Sequence, residues 1–199
     1  RGSTPINSAL FNNDEITGNT VFKINARMDA GAIITQSEMK ISENDNFTTL
    51  SFKLSQNGAN ELLKSIKLLE SNKSILHEQD DKMATYSEKL SKQNTFINWN
   101  RPALEIKSKV RGLAEVPGVV ASFREKRIKI IEVEVLEEES SKEPGSIVDI
   151  IKNQGIIVAT ADKLLLIKKL QPEGKQIMNS YIFNIGARIA LKERFGNGF

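Results

Sequence analysis

The stretch from Val119 to Leu170 most constrains what this chain can fold into. It opens with VVASF, Val119 to Phe123, and continues with RIKIIEVEVLE, in which apolar and polar residues alternate from Ile128 and Ile130 onward. GSIVDII, GIIVATA and KLLLIKKL follow, each opened or separated by glycine or other turn residues. Alternation is the period of a half-buried strand, and glycine punctuates such runs. Five short strands with tight connections predict a small closed or partly open β-barrel of OB type. A helix precedes them: Pro102 opens a pattern with Leu104, Ile106, Val110 and Leu113 apolar, and Pro117-Gly118 ends it. Glu137, Glu138 and Glu139 with Ser140 and Ser141 read as a solvated hairpin tip.

The first half has a different rhythm. Pro5 to Asn12 predicts a short helix, with Pro5 in its first turn. A strand over Thr20 to Ile24 and an extended run over Ala32 to Ile41 follow. Thr48 to Glu70 then predicts a long helix with Leu50, Leu54, Leu62, Leu63, Ile66 and Leu69 largely on one stripe. Gly58 interrupts that pattern and marks a place where the helix could divide. So small a set of strands and helices cannot cover both faces of a sheet. It reads as the end of an α/β domain whose beginning lies outside the sequence. Residues 71–98 are polar and lack a sustained period, as a linker does; His77 reads there as an exposed linker histidine. The expected organisation is therefore an α/β part over 1–70, a linker over 71–98 and a β domain over 99–199.

Composition removes several kinds of chemistry. There is no cysteine and only one histidine, so disulfides, thiol nucleophiles and Cys- or His-built metal sites are excluded, and no metal is expected. No run of eighteen apolar residues occurs. The chain opens RGSTPINSALF, which lacks a leader pattern, so the cytoplasm is the expected location. The net charge of +3 is divided unevenly: residues 1–99 carry 11 basic and 12 acidic side chains, residues 100–199 carry 17 and 13. A basic second half can follow phosphates where its charges share a face.

No dinucleotide fingerprint, P-loop or Ser-His-Asp arrangement occurs. Asp29, in KINARMDAGAII, is the sole carboxylate in a setting suited to catalysis: a short turn between two apolar runs, with Gly31 easing the connection. By itself an Asp two residues before a Gly is a turn residue, and one carboxylate without a partner is not a mechanism. The other distinctive stretch is LQPEGKQIM, where a Pro-Glu-Gly turn presents Lys175 after Lys168 and Lys169.

Four stretches together carry a resemblance: RGSTPI, TGNTVFKINARMDAGAI, TYSEKLSK with INWNRPALEIKSKVRGLAEVPG, and LQPEGKQIM. In order and approximate spacing the chain resembles the methionyl-tRNA formyltransferase family, from the middle of its catalytic domain to its C-terminus. The first two stretches belong to folate-dependent formyltransferases at large, and LQPEGK favours the tRNA enzymes over sugar formyltransferases.

The resemblance implies the remnant of a Rossmann-like catalytic domain, a linker and an OB-like barrel. It implies transfer of a formyl group from 10-formyltetrahydrofolate, the co-substrate, to the methionyl amino group of initiator tRNA. The Asp of the family's DTG turn matches Asp29, while the Thr after it is Ala30 here, and the family's PWPG reads EVPG. The family's catalytic Asn and His match positions before Arg1, so the chain is expected to be a fragment, inactive in formyl transfer by itself. Folate contacts are expected at Arg1, Gly2, Asn25, Ala26, Arg27 and Met28. Contacts to tRNA are expected at Lys89, Lys92, Arg111 and Lys175, and at the cluster Arg124, Lys126 and Arg127. The expected partner is initiator methionyl-tRNA, with no protein partner and a monomeric chain. Two alternatives stay open: a non-catalytic tRNA- or RNA-binding module, and a fragment of a sugar N-formyltransferase.

Overall fold

Two antiparallel sheets hold the named strands of this protein, one of two strands and one of six. The computed structural model describes residues 1–198. The chain divides into two compact units, Arg1–Leu90 and Ser91–Phe199.

The first unit contains α1 (Pro5–Phe11), β1 (Ile16–Phe22), β2 (Ile33–Lys40) and α2 (Phe47–Glu70). β1 and β2 form a hairpin in register from Ile16 opposite Lys40 to Val21 opposite Thr35. β1 begins earlier than its apolar pattern, because backbone pairing continues through the polar residues Thr17 to Asn19. α2 starts at a capping box: Thr49 N donates to Asn46 Oδ1 at 3.0 Å, and Asn46 N donates to Thr49 Oγ1 at 3.0 Å.

α2 runs unbroken for 24 residues, so Gly58 does not divide it. Gly58 stands against β1: a Cβ there would lie 3.0 Å from Asn19 Nδ2. Its lack of a side chain serves close packing. The expected stripe is also only partly buried. Leu50 and Leu54 join Ala9, Leu10 and Ile41 in a small core. Beyond them, α2 meets the hairpin with polar groups. Ser37 Oγ donates to Asn57 Oδ1 at 2.5 Å, and the Thr35 and Ser65 hydroxyls lie 2.6 Å apart. Leu62, Leu63, Ile66 and Leu69 are left 37–58% exposed.

The polar segment after α2 is tied to this unit. Ile33 and His77 exchange both backbone hydrogen bonds, at 2.8 and 3.0 Å. Ser87 N donates to Arg1 O at 2.8 Å, and Thr4 Oγ1 donates to Glu88 O at 2.6 Å.

The second unit contains α3 (Ala103–Leu113), β3 (Val119–Phe123), β4 (Lys126–Glu139), β5 (Ile147–Ile151), β6 (Gly155–Ala159), β7 (Lys163–Pro172), β8 (Met178–Asn179) and α4 (Ser180–Ala187). Its sheet runs β3-β4-β7-β6-β5, with β8 added on β7. Ile128, Ile130, Ile147, Ile156, Leu165, Ile167 and Leu170 are buried, as are Ile106, Val110 and Leu113 of α3. Glu137 to Glu139 are the last residues of β4 rather than a hairpin tip, and Lys163 pairs with Glu137 at 2.7 Å. Asp162 accepts from Ala103 N at 2.8 Å and so caps α3 from 59 residues away.

The strand ladder does not close into a barrel; β3 and β5 stand at its two ends. The last residues reach both edges. Ser122 exchanges backbone hydrogen bonds with Gly196 at 3.1 and 2.9 Å, Ile147 N donates to Glu193 O at 3.0 Å, and Phe195 N donates to Gly145 O at 2.8 Å. Phe195 and Trp99 are both fully buried, with ring centroids 6.0 Å apart. Trp99 Nε1 donates to Gly196 O at 3.2 Å, and Trp99 N to Asn197 Oδ1 at 3.0 Å. Among the described residues no helix is long and apolar enough to cross a membrane.

Candidate active-site turn and basic surface

The connection between β1 and β2 carries Asp29. Lys23 N donates to Ala32 O at 2.9 Å, closing the loop at its base. Gly31 is required there, since a Cβ would stand 1.6 Å from Lys23 O. Asp29 has φ +52°, the left-handed region that Asp tolerates better than most residues.

Three successive carbonyls of this turn are held by side-chain amides. Asn25 Nδ2 donates to Ala30 O at 3.2 Å, while Gln79 Nε2 donates to Asp29 O at 3.1 Å and to Gly31 O at 2.7 Å. Asn25 Oδ1 also accepts from Arg27 N at 2.9 Å. The half-buried Asp29 carboxylate itself has one long contact, from Gly2 N at 3.4 Å to Oδ2. Its backbone is therefore fixed while most of its lone pairs stay available.

The expected folate residues divide into two sets. Arg1, Gly2, Asn25 and Arg27 belong to the network around Asp29. Ala26 and Met28 lie on the exposed outside of the loop. Arg1, with only 10% of its side chain exposed, donates to Gln79 Oε1 at 3.1 Å and pairs with Asp81 at 2.9 Å. Arg27 pairs with the same carboxylate. The hydrogen bonds from Arg1 and then Arg27 hold the Asp81 carboxyl below its ordinary range, against a small desolvation in the other direction. Gln79 and Asp81 were not foreseen. They lie in a polar stretch without period, and no local pattern distinguishes them from linker residues. Among the described residues no three His, Asp or Glu side chains converge as metal ligands.

The chemistry open to this turn is that of a positioned acceptor. A carboxylate with free lone pairs can orient an imidazole or receive a hydrogen bond from an amine losing its proton.

In the second unit, Lys126 and Arg127 are exposed at the start of β4. The β4–β7 register sets Ile128 opposite Pro172, and Glu173 N donates to Arg127 O at 3.1 Å. This brings Arg127 to the turn of LQPEGK, where Lys175 N donates to Pro172 O at 3.0 Å and Lys175 is exposed. Arg127, Lys129, Gln171 and Glu173 line one concavity there. Lys129 was missed, although its place two residues beyond Arg127 in an alternating strand puts it on the same face.

Arg124 is engaged otherwise. Its guanidinium makes two 2.6 Å bonds to the Glu193 carboxylate and donates to Ala187 O at 2.9 Å. Lys168 and Lys169 pair across the sheet with Glu134 and Glu132, at 2.5 and 2.7 Å. Arg111 is half-buried in the last turn of α3, Lys92 is exposed ahead of Thr95, and Lys89 is exposed in the first unit.

Comparison with known proteins matches two regions of the chain. Residues 1–66 match the model of the family described as Formyl transferase, and residues 89–188 match Formyl transferase, C-terminal domain. A methionyl-tRNA formyltransferase of Dictyoglomus turgidum is 35% identical over 199 residues, covering 99% of this chain and 63% of that protein. One from Clostridium beijerinckii is 38% identical, covering 89% of this chain and 57% of its own length. The chain thus spans less than two thirds of these curated relatives.

Among solved structures, HypX from Aquifex aeolicus, determined with tetrahydrofolic acid, has a TM-score of 0.71 at 15% identity. The match covers 97% of this chain and 34% of that one. WlaRD, a sugar 3N-formyl transferase, has a TM-score of 0.67 at 20% identity, covering 88% and 62%. These two likenesses concern the fold. With both family regions matched in order over most of its length, and with methionyl-tRNA formyltransferases among its curated relatives, the chain belongs to the formyl transferase family.

Proposed function

We propose that this chain is the Asp29-bearing part of a methionyl-tRNA formyltransferase acting in the cytoplasm. In this reading the whole enzyme moves a formyl group from 10-formyltetrahydrofolate to the methionyl amino group of initiator tRNA. The observation that carries the reading is the Asp29 turn, with its backbone clamped and its carboxylate engaged only by a long contact from Gly2 N among the described residues. An amine attacking a formyl carbonyl must lose a proton as the oxygen gains charge. Asp29 orients and raises the basicity of an imidazole, or takes the amine proton through water. The imidazole and an amide donor come from the further length that the relatives possess. Arg1, Gly2 and the loop Asn25 to Met28 form the edge of the folate site.

The finer architecture follows the same reading. The first unit is the end of a Rossmann-like domain, and the second is an OB-like barrel completed by Glu193–Asn197 rather than by a strand ladder. Its Lys126, Arg127, Lys129 and Lys175 face the tRNA backbone, joined by Lys89, Lys92 and Arg111. Arg124, bound to Glu193, adds its charge but few free donors.

Two experiments test the reading. Formyl transfer to initiator methionyl-tRNA is absent with this chain alone and present when it is joined to the remaining length of a relative. In the joined protein Asp29→Asn lowers kcat by about 10²- to 10⁴-fold; full activity in that variant overturns the reading. Binding of initiator tRNA is then titrated against salt. Arg127→Ala and Lys175→Ala each weaken binding and reduce the log–log salt slope by about one. An unchanged slope removes these residues from the interface.

A further inference from the structure

We infer that Gln79 is a positioning residue for Asp29, an inference that rests on the function proposed above. Asp29 occupies the left-handed region at φ +52°, where an L-residue stays only when its surroundings hold it. The peptide on either side of such a residue can turn unless its carbonyl is fixed. Gln79 fixes the one that follows Asp29 and a second carbonyl two residues on: one carboxamide nitrogen donates to Asp29 O at 3.1 Å and to Gly31 O at 2.7 Å. The amide oxygen is occupied by Arg1 Nη2 at 3.1 Å, which sets which end of the carboxamide faces the turn. Arg1 is in turn held by Asp81 at 2.9 Å. The chain of contacts leads from an ion pair through one side chain to the two carbonyls that bracket Ala30, and so to the direction of the Asp29 carboxylate. Among the described residues the carboxylate has only the 3.4 Å contact from Gly2 N to orient it directly. Its aim therefore depends on its backbone, and Gln79 is what holds that backbone from outside the loop.

A side chain acting this way affects the rate of the chemical step more than the binding of either substrate, because misplacement by a fraction of an ångström reduces attack geometry. The test uses the joined protein described above, with formyl transfer measured to initiator methionyl-tRNA. Gln79→Ala and the similarly sized Gln79→Met both lower kcat by roughly tenfold to a hundredfold, with KM for tRNA and for 10-formyltetrahydrofolate unchanged. In an Asp29→Ala background neither substitution lowers kcat further, since Gln79 acts through Asp29. Unchanged kcat in a folded Gln79→Met enzyme overturns the inference. So does a loss that multiplies with that of Asp29→Ala, which would mark a contribution independent of Asp29. Should Asp29→Ala alone leave kcat intact, the proposed function fails instead, and the two failures are distinguished by that one variant.

Discussion

At the scale of single residues, Glu193 shows how one side chain serves the architecture of the second unit. Its carboxylate accepts two bonds from Arg124 and one from Ala190 N, while its carbonyl pairs with Ile147 at the edge of β5. The Arg124 guanidinium first, and the Ala190 amide second, bring its pKa down from an ordinary 4.5 to about 2. A depressed acid contributes stability that is full above its unfolded pKa and is lost as pH falls toward the folded one. Between pH 4.5 and about 2 the unit should therefore lose stability that a Glu193→Gln variant never had. The expected result is a wild-type urea midpoint above the variant's at neutral pH, with the two curves converging near pH 2. Parallel curves would show that the pair contributes nothing. Arg124, Lys126 and Arg127 read as one basic cluster, and only the structure separates Arg124, bound to Glu193, from the exposed Lys126 and Arg127.

At the scale of elements, α2 shows where periodicity misleads. Its apolar stripe was legible in the sequence, but one turn past Leu54 the helix meets the hairpin through Asn57 and Ser65, and four apolar residues stay exposed. Period alone cannot say which of two faces a neighbour will cover, because the hairpin's polar residues Thr35 and Ser37 are supplied from elsewhere in the chain. Gly58 is the test case. A helix-interior Gly→Ala change ordinarily gains about 1 kcal/mol. Here the new methyl meets Asn19 Nδ2 at 3.0 Å, so that gain should vanish. Gly58→Ala is expected to be close to neutral by urea denaturation, and to stabilise by about 1 kcal/mol once Asn19 is also Ala. A full gain in the single variant would mean that Asn19 yields freely. The strands of the second unit were better read, since alternation along β4 and unbroken apolar runs in β6 and β7 are local records of burial. Their boundaries moved outward where pairing continued past the apolar residues, as at Glu137 to Glu139, and inward at the start of β5 and the end of β6.

At the scale of the whole molecule, the division falls between Leu90 and Ser91, and the residues just before it are bound to the first unit. Hydrogen bonds at His77, Gln79, Ser87 and Glu88 tie the middle of the stretch whose composition suggested a linker to the first unit. Exposed Lys89 and Lys92 bracket the boundary. Brief trypsin treatment is therefore expected to cut first after Lys89 or Lys92, read by the masses of the products. First cutting after Lys73 or Lys82 would show that the stretch is loose. By itself the sequence determined helices α1 to α3, the main strands, the tight turn at Gly31 and the family likeness, because each of these is written in neighbouring residues; the short β8 and α4 were not read from it. Only the tertiary structure decided what completes them. It set Gln79 on the Asp29 turn from 50 residues away, Asp162 on the start of α3 from 59 away, and Glu193 to Asn197 on both edges of the sheet. A periodic pattern records which side of a segment is buried. A hydrogen bond between distant residues leaves no such pattern, since any polar side chain serves until the fold brings its partner within 3 Å or so.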